Sequence, residues 1–170
     1  MLLKKLKAVS YVEVILVLVI VGVISSISIP AVKKHSQKNE LGSMAKKAFL
    51  SLNQAVDNAI LVNGPTRNWS ATDSKAFFAF LIPSFTSLSK SSIAVVTKDK
   101  MRFYIKPDEK NEGFTIVYVD VNGTNVGPNK EGKDIHSFNV MHNNGTIEPI
   151  GDTLELAKNS WRFTDTLWYK

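Results

Sequence analysis

Hydrophobic residues are distributed unevenly along this chain, and their longest uninterrupted stretch lies near the N-terminus. No residue from Val14 to Val32 is charged, and this run of 19 positions is rich in Val, Ile and Leu. At a rise of about 1.5 Å per residue, a helix of this length matches the roughly 30 Å hydrocarbon core of a bilayer. The pattern therefore predicts a single membrane-spanning helix.

A different hydrophobic pattern follows, in which apolar residues recur at steps of three and four. These residues are Leu41, Met44, Ala45, Ala48, Phe49, Leu52, Ala55, Val56, Ala59 and Ile60. Such spacing predicts an amphipathic helix with one buried stripe. Gly64 and Pro65 end it, because glycine caps a helix and proline cannot continue one. We therefore expect one long helix from about Val9 to Val62, with a membrane half and an amphipathic half.

Strand-like runs appear only in the second part of the chain. Short β-branched or aromatic stretches predict strands over residues 92–97, 101–106, 114–121 and 137–142, with a short further strand from Thr146. Between helix and strands, residues 73–82 predict a short helix stopped by Pro83, and the serine-rich residues 84–92 predict a loop. The expected fold class is α+β, with a small antiparallel sheet packed on the second half of the long helix.

The amino-acid composition excludes some kinds of site and explains the positive net charge. The chain has 170 residues and no cysteine, which excludes disulfides, thiolate zinc sites and cysteine nucleophiles. Its formal charge of +6 includes Lys4, Lys5 and Lys7, which precede the apolar run and hold the N-terminus in the cytoplasm by the positive-inside rule. Without these three lysines, +3 remains on the rest of the chain. The basic balance is thus mainly a topology signal.

A basic stretch in the strand region raises the question of nucleic acid. Lysines and arginines at positions 98, 100, 102 and 106 are interleaved with Phe103 and Tyr104, a combination found in surfaces that stack on bases. Asp99 and Asp108 interrupt this charge. We therefore favour a solvated hairpin and do not expect nucleic acid as a partner.

Glu13 stands at the edge of the apolar run, where an ionised carboxylate needs a partner or a purpose. One interpretation places it in the headgroup zone beside Lys7. A cleaved secretory signal does not explain it, since the apolar run is too long and no Ala-x-Ala box follows. A plain signal anchor fits the length but leaves Glu13 unexplained.

The segment from Lys7 to Pro30 resembles the N-terminal signature of type IV pilins and type II secretion pseudopilins. In that family a prepilin peptidase removes a short basic leader, and the new N-terminal residue is methylated. A glutamate stands fifth in the mature chain, and a proline commonly follows seventeen residues later. With Glu13 in that role the cut falls between Ala8 and Val9, and Pro30 takes the proline position. Ala8 replaces the usual glycine and Val9 the usual phenylalanine.

The resemblance implies a domain order of leader (1–8), transmembrane and assembly helix (9–32), and extracytoplasmic head with the second half of the helix (33–170). It implies that Glu13 meets the N-terminal amine of a neighbouring subunit, and we expect Pro30 to kink or locally melt the helix. The chain would be a single-pass protein of the bacterial inner membrane, with its N-terminus in the cytoplasm, that assembles into a filament. Implied partners are other pilin-like subunits, the prepilin peptidase, an assembly ATPase and a platform protein.

Residues 120–134 combine oxygen-bearing side chains with glycines and suggest a cation site. Asp120, Asn122 and Asp134 are the predicted ligands, with Ca²⁺ as the hard cation that such oxygens bind. The spacing does not match an EF-hand loop, and ordinary turns with solvated acids are the alternative. The resemblance adds weight, because several pseudopilins bind calcium in a loop of the head. The loop itself favours a secretion pseudopilus over a type IV pilus. Many pilin heads are stapled by a C-terminal disulfide, and in this cysteine-free chain a metal clip or an extensively hydrogen-bonded loop is the expected substitute.

Other chemistry finds little support. His136 and His142 fall on one side of a predicted strand, but no catalytic motif accompanies them, so we expect no enzyme. Trp161, Phe163, Trp168 and Tyr169 crowd the end of the sequence, where they either pin the tail to the core or form a contact surface. The main alternative to a filament subunit is a signal-anchored extracytoplasmic binding module that does not polymerise.

Overall fold

The computed structural model describes residues 10–69, 73–109 and 112–160, with the backbone alone at 30, 31, 33–39 and 160. The chain divides into two units, residues 1–38 and 39–170, and the second is called the globular unit below. The fold is α+β, with an N-terminal apolar helix, further helices and a six-stranded antiparallel sheet.

The first helix, α1, spans Tyr11–Asn63. Its backbone remains helical through Pro30, so the local melting predicted there is not seen. The helix ends at Gly64, which has a φ of +79° and donates its N–H to the Ile60 carbonyl at 2.8 Å. This left-handed residue is the ordinary glycine cap of a helix, as the sequence predicted.

A second helix, α2 (Ser74–Leu81), lies within the short helical segment predicted at 73–82. Asp73 precedes it, and its carboxylate accepts the Ala76 N–H at 2.7 Å, which satisfies one of the free donors at the helix start. Phe77, Phe78 and Leu81 are buried. Single 3₁₀ turns lie at Thr66–Asn68 and Ile82–Ser84.

The sheet is a meander in which each strand pairs with the next. Its strands are β1 (Ser87–Lys90), β2 (Ala94–Thr97), β3 (Arg102–Tyr104), β4 (Phe114–Asp120), β5 (Ile135–Met141) and β6 (Ile147–Pro149). The four predicted strands and the short further one are present. The prediction of a loop over residues 84–92 was wrong, because β1 pairs there with β2.

Pairing places the apolar residues of neighbouring strands on one face, which we call the inner face. Phe103 lies opposite Val119, and Val117 lies opposite Phe138. These side chains are buried together with one stripe of α1 and with α2 in a single hydrophobic core. The α1 residues of this core are Ala48, Leu52, Ala55, Val56 and Ala59.

A third helix, α3 (Asp152–Ser160), was not predicted from the sequence. It packs against β5 and β6. The Thr153 hydroxyl accepts the Ser137 N–H of β5 at 2.9 Å, and the Ile150 N–H donates to the Ser137 carbonyl at 3.1 Å. These bonds extend the pairing of β5 beyond the end of β6.

Leu52 and Leu50 offer a matched test of the buried stripe, since they lie on one helix but only Leu52 is buried, whereas Leu50 is 55% exposed. We expect Leu52→Ala to lower the free energy of unfolding by about 2–5 kcal/mol, because it leaves a cavity in the core. Leu50→Ala is expected to change it by less than about 0.5 kcal/mol. Urea unfolding of the full chain in detergent measures both, and equal losses would contradict the packing described.

Candidate functional site: the apolar helix and the loop between β4 and β5

The apolar part of α1, Tyr11–Ile29, is 19 residues long, and none of it is buried within the protein. Its valines, leucines and isoleucines expose between 44% and 71% of their surface. So much contiguous apolar surface is rare on a protein in water and marks contact with lipid or with another protein. A helix of this length and composition near the N-terminus is typical of a membrane anchor or a secretion signal.

Glu13 lies in the first turn of this helix and bonds to its own chain. Its Oε2 accepts the backbone N–H of Ser10 at 2.8 Å, while the Ser10 carbonyl accepts the Val14 N–H at 3.2 Å. Ser10 is thus the N-cap residue, and Glu13 completes half of a capping box. A carboxylate here also faces the positive end of the helix dipole. Ala8 and Val9, which carry the predicted cleavage and methylation, lie outside the described residues, as does Lys7, the predicted neighbour of Glu13.

Asp134 organises the loop between β4 and β5. The residue is fully buried, and each of its carboxylate oxygens accepts a backbone hydrogen bond. The Asn129 N–H donates to Oδ2 at 2.7 Å, and the Lys130 N–H donates to Oδ1 at 2.7 Å. One side chain therefore folds the second half of the loop around itself.

The structure brings the other two predicted ligands to the same end of the loop. Asn122 donates its Nδ2–H to Asp134 Oδ2 at 3.3 Å. Asp120 is 2% exposed, and its Oδ1 accepts the Gly123 N–H at 2.9 Å. Gly123 has a φ of +86°, and a Cβ there would lie 3.0 Å from the Lys100 carbonyl, so the tight turn needs glycine.

The two carboxylates differ in their acidity. Burial raises the pKa of Asp120, an effect opposed by the N–H groups of Gly123 and Asn122 and reinforced by the Asp134 charge. Burial also acts to raise the pKa of Asp134, but the Lys130 and Asn129 N–H donors outweigh it and lower that pKa. The backbone thus stabilises a negative charge on Asp134 in particular.

Among the described residues, hydrogen bonds to Asp134 close this loop. Within residues 10–69, 73–109 and 112–160, no group of three or more His, Cys, Asp or Glu side chains could hold a metal ion. Both oxygens of Asp134 already accept N–H groups. Asn122 Oδ1, however, is buried without a hydrogen-bond partner among the described residues and would suit a cation. Asp120 and Asp134 are both buried in this hydrogen-bonded loop, so they are not the solvated acids of the ordinary-turn alternative. Calcium at Asp120, Asn122 and Asp134 stays a prediction.

The two histidines of the β5 region pack against the core. His136 is fully buried opposite Val119, and its Nδ1 lies 3.4 Å from the Thr153 hydroxyl. Its Nε2 has no hydrogen-bond partner in the part of the chain that the structure describes. His142 Nε2 lies 2.9 Å from the Thr115 hydroxyl, and its ring stacks on Phe77 at 4.2 Å. The structure thus gives each histidine its own packing environment.

The basic stretch considered as a nucleic-acid surface forms a ladder of rings and cations across β3 and β4. The Arg102 guanidinium lies 4.9 Å from the Tyr104 ring centre, Tyr104 stacks on Tyr118 at 5.5 Å, and Lys106 Nζ lies 3.9 Å from the Tyr118 ring centre. Lys106 also pairs with Glu109 and Glu131 at 3.6 and 3.4 Å. The rings and cations therefore contact one another, and sequence reasoning missed this ladder because only strand register reveals it.

In comparisons with protein-family models, with curated proteins and with solved structures, nothing matches this chain.

The role of Asp134 can be tested by removing its charge. We expect Asp134→Asn to lower the free energy of unfolding by about 1–3 kcal/mol, because an amide cannot accept both backbone N–H groups. Glu131→Gln is the control in the same loop. It loses only the exposed contact with Lys106 and is expected to cost less than about 1 kcal/mol. Urea unfolding compares the two variants.

The same variants test calcium. If the loop binds calcium, the Tm of the wild type should rise when a chelator is replaced with calcium. Asp134→Asn should lose this rise. An unchanged Tm in the wild type would contradict calcium binding and would mean that the hydrogen bonds hold the loop without a metal.

We expect the buried His136 to make the free energy of unfolding fall in acid. Burial lowers its pKa to about 4, although the nearby Lys133 backbone and the Asp134 charge act to raise it. The fold therefore favours the neutral ring, and the unfolded chain binds more protons between pH 6.5 and pH 4. The contribution of His136 is complete above pH 6.5 and is lost as the pH falls to about 4, a loss of about 3 kcal/mol.

Urea midpoints measured between pH 7 and pH 4.5 check this slope. We expect His136→Leu to flatten it, leaving the smaller contribution of His142, whose pKa is also lowered by burial. An unchanged slope in His136→Leu would contradict this assignment.

Proposed function

We propose that this chain is a structural subunit of a filament of the type IV pilus or type II secretion pseudopilus kind. The observation that carries the proposal is the helix Tyr11–Ile29, which exposes apolar surface on every side yet carries Glu13 in its first turn. Lipid satisfies the apolar surface but not the carboxylate. A bundle of identical helices satisfies both if it brings a positive group to Glu13.

In this proposal the positive group is the amine that a prepilin peptidase creates by cutting between Ala8 and Val9. An amine from a neighbouring copy offsets the cost of the Glu13 charge only when the two helices dock in one register. The same apolar surface first holds the subunit in the inner membrane, with the N-terminus cytoplasmic and the head outside. It then packs against other copies when an assembly ATPase and a platform protein extract it.

The globular unit supports a structural role. In the proposal its core covers the second half of α1, and its surface faces the outside of the filament. The loop with Asp120, Asn122 and Asp134 favours a secretion pseudopilus, and calcium there is part of the proposal and not a requirement of the fold. We assign the chain no catalytic role.

One contact favours a second candidate, a signal-anchored binding module that does not polymerise. The hydrogen bond from the Ser10 N–H to Glu13 gives the glutamate a role in starting its own helix. A carboxylate used in this way needs no neighbouring amine. The two candidates therefore differ in whether Glu13 is needed for its charge or only as an acceptor.

Glu13→Gln and Glu13→Ala separate the candidates. Glutamine still accepts the Ser10 N–H but carries no charge, whereas alanine does neither. For a filament subunit we expect both variants to insert into the membrane and both to reduce assembly by at least tenfold. Filament yield by electron microscopy, together with membrane fractionation, measures this.

If Glu13→Gln assembles like the wild type, the charge of Glu13 is not needed for assembly and its role is only to cap the helix. Mass spectrometry of the N-terminus provides an independent check, because a filament subunit should begin at Val9 and carry an added methyl group. A chain that keeps Met1 would favour the anchored module.

A further inference from the structure

A groove of about 270 Å³ lies between α1, the residues that lead into β1, and the turn between β2 and β3. It belongs wholly to the globular unit, and no described residue of the loop between β4 and β5 lines it. The C-terminal aromatic residues lie outside the described residues, so the groove is defined without Trp161, Phe163, Trp168 and Tyr169. It is therefore a candidate site separate from the Asp134 loop.

One wall of the groove is a polar flank of α1. Ser51, Gln54 and Asn58 line it, and their steps of three and four residues place them on one side of the helix. Ala55 lies between them and is 1% exposed, because it belongs to the buried stripe. The helix therefore lines the groove with one hydroxyl and two side-chain amides.

A second wall comes from the segment that joins α2 to β1. Ser84 and Thr86 lie on either side of Phe85, and all three residues line the groove. Phe85 is only 6% exposed, since its ring packs on the Phe103 ring with their centres 4.7 Å apart. The core thus fixes Phe85, and the two hydroxyl-bearing neighbours are held at the groove.

The turn between β2 and β3 completes the site with Thr97, Lys98 and Asp99. The Thr97 carbonyl accepts the Lys100 N–H at 2.9 Å, which closes the turn. Asp99 Oδ2 lies 2.7 Å from Lys47 Nζ, and this ion pair joins the turn to α1. The turn therefore adds one cation and one carboxylate beside the hydroxyls and amides.

Most of the polar side chains that line the groove have no partner within residues 10–69, 73–109 and 112–160. Those that form no hydrogen bond or ion pair there are Ser51, Gln54, Asn58, Ser84, Thr86 and Lys98. Hydroxyl and amide groups can each donate and accept hydrogen bonds. The groove therefore suits a ligand that donates and accepts at several points.

The lining also restricts the class of ligand. A phosphate or a carboxylate accepts hydrogen bonds but donates none, so it would leave the amide oxygens unpaired and would face the Asp99 carboxylate. An apolar ligand or peptide side chain needs apolar lining, but Ala55 and Phe85 are almost completely buried. A sugar ring carries several hydroxyls that each donate and accept, and the groove is large enough for a small ring.

We propose that this groove binds a neutral saccharide. The amides of Gln54 and Asn58 bond to the ring hydroxyls from α1, and the hydroxyls of Ser84 and Thr86 bond to them from the second wall. The inference does not depend on the proposed filament, because the groove lies in the globular unit and not in the helix Tyr11–Ile29.

An array of immobilised neutral and acidic glycans tests the proposal with the full chain. The chain is kept in lauryldimethylamine oxide, a detergent without a sugar headgroup, so that the detergent does not compete for the groove. We expect binding to at least one neutral glycan. Calorimetric titration with the free trisaccharide of the same composition should then give a Kd of about 1 mM or below.

Asn58 and its neighbour Asp57 provide matched variants. Both side chains are exposed on α1 and are similar in size, but only Asn58 lines the groove. We expect Asn58→Ala to weaken binding about tenfold, because it leaves ring hydroxyls without a partner, whereas Asp57→Ala should bind like the wild type. Gln54→Ala is a second groove variant, and the Tm of each variant shows that it is folded.

Four results would overturn the proposal. The first is a folded wild type that binds no neutral glycan on the array. The second is binding that Asn58→Ala and Gln54→Ala leave unchanged, since the sugar would then occupy another surface. The third is binding to acidic glycans alone that Lys98→Ala abolishes, which would make the groove an anion site. The fourth is selection of displayed peptides by the wild type and not by Asn58→Ala, without glycan binding, which would make it a peptide site.

Discussion

The globular unit depends on covering one stripe of α1. Its central residues, among them Ala48, Ala55 and Ala59, are almost completely buried and small, so the inner face of the sheet can approach the helix closely. Larger side chains come from the other side of the core, chiefly Phe103 and Phe138. Small residues on the helix thus face large ones on the sheet. Because protein interiors are closely packed, this pairing fixes the position of the strands against this stripe of the helix.

Strand β5 is where the remaining contacts converge. Asp134, just before it, closes the preceding loop through two backbone N–H groups. His136 faces the core, and the backbone of Ser137 holds the start of α3 through Thr153. Loop, core and third helix are therefore linked through four consecutive residues, 134–137. Protonation of His136 at low pH is therefore expected to destabilise the residues that hold the start of α3.

Local patterns predicted those elements whose signals are local. The helix α1 has a continuous apolar run followed by apolar residues at steps of three and four. The helix α2 has an N-cap aspartate and a following proline. Strand β1 was missed because Ser-Leu-Ser-Lys has weak strand propensity and gains its structure from pairing with β2. Helix α3 was missed because it is mostly polar and because its buried side chains, among those described, are the small Thr153 and Ala157. Packing decided both elements, and propensity did not.

The candidate sites divide in the same way. The sequence alone determined the apolar helix, the position of Glu13 within it, and the oxygen-rich loop that contains Asp120, Asn122 and Asp134. Only the tertiary structure decided what these groups contact, with Glu13 bonded to Ser10 and Asp134 bonded to its own loop. The physical reason is that periodicity and residue type report which surface a segment must bury, whereas a hydrogen bond depends on where the rest of the backbone places its donors.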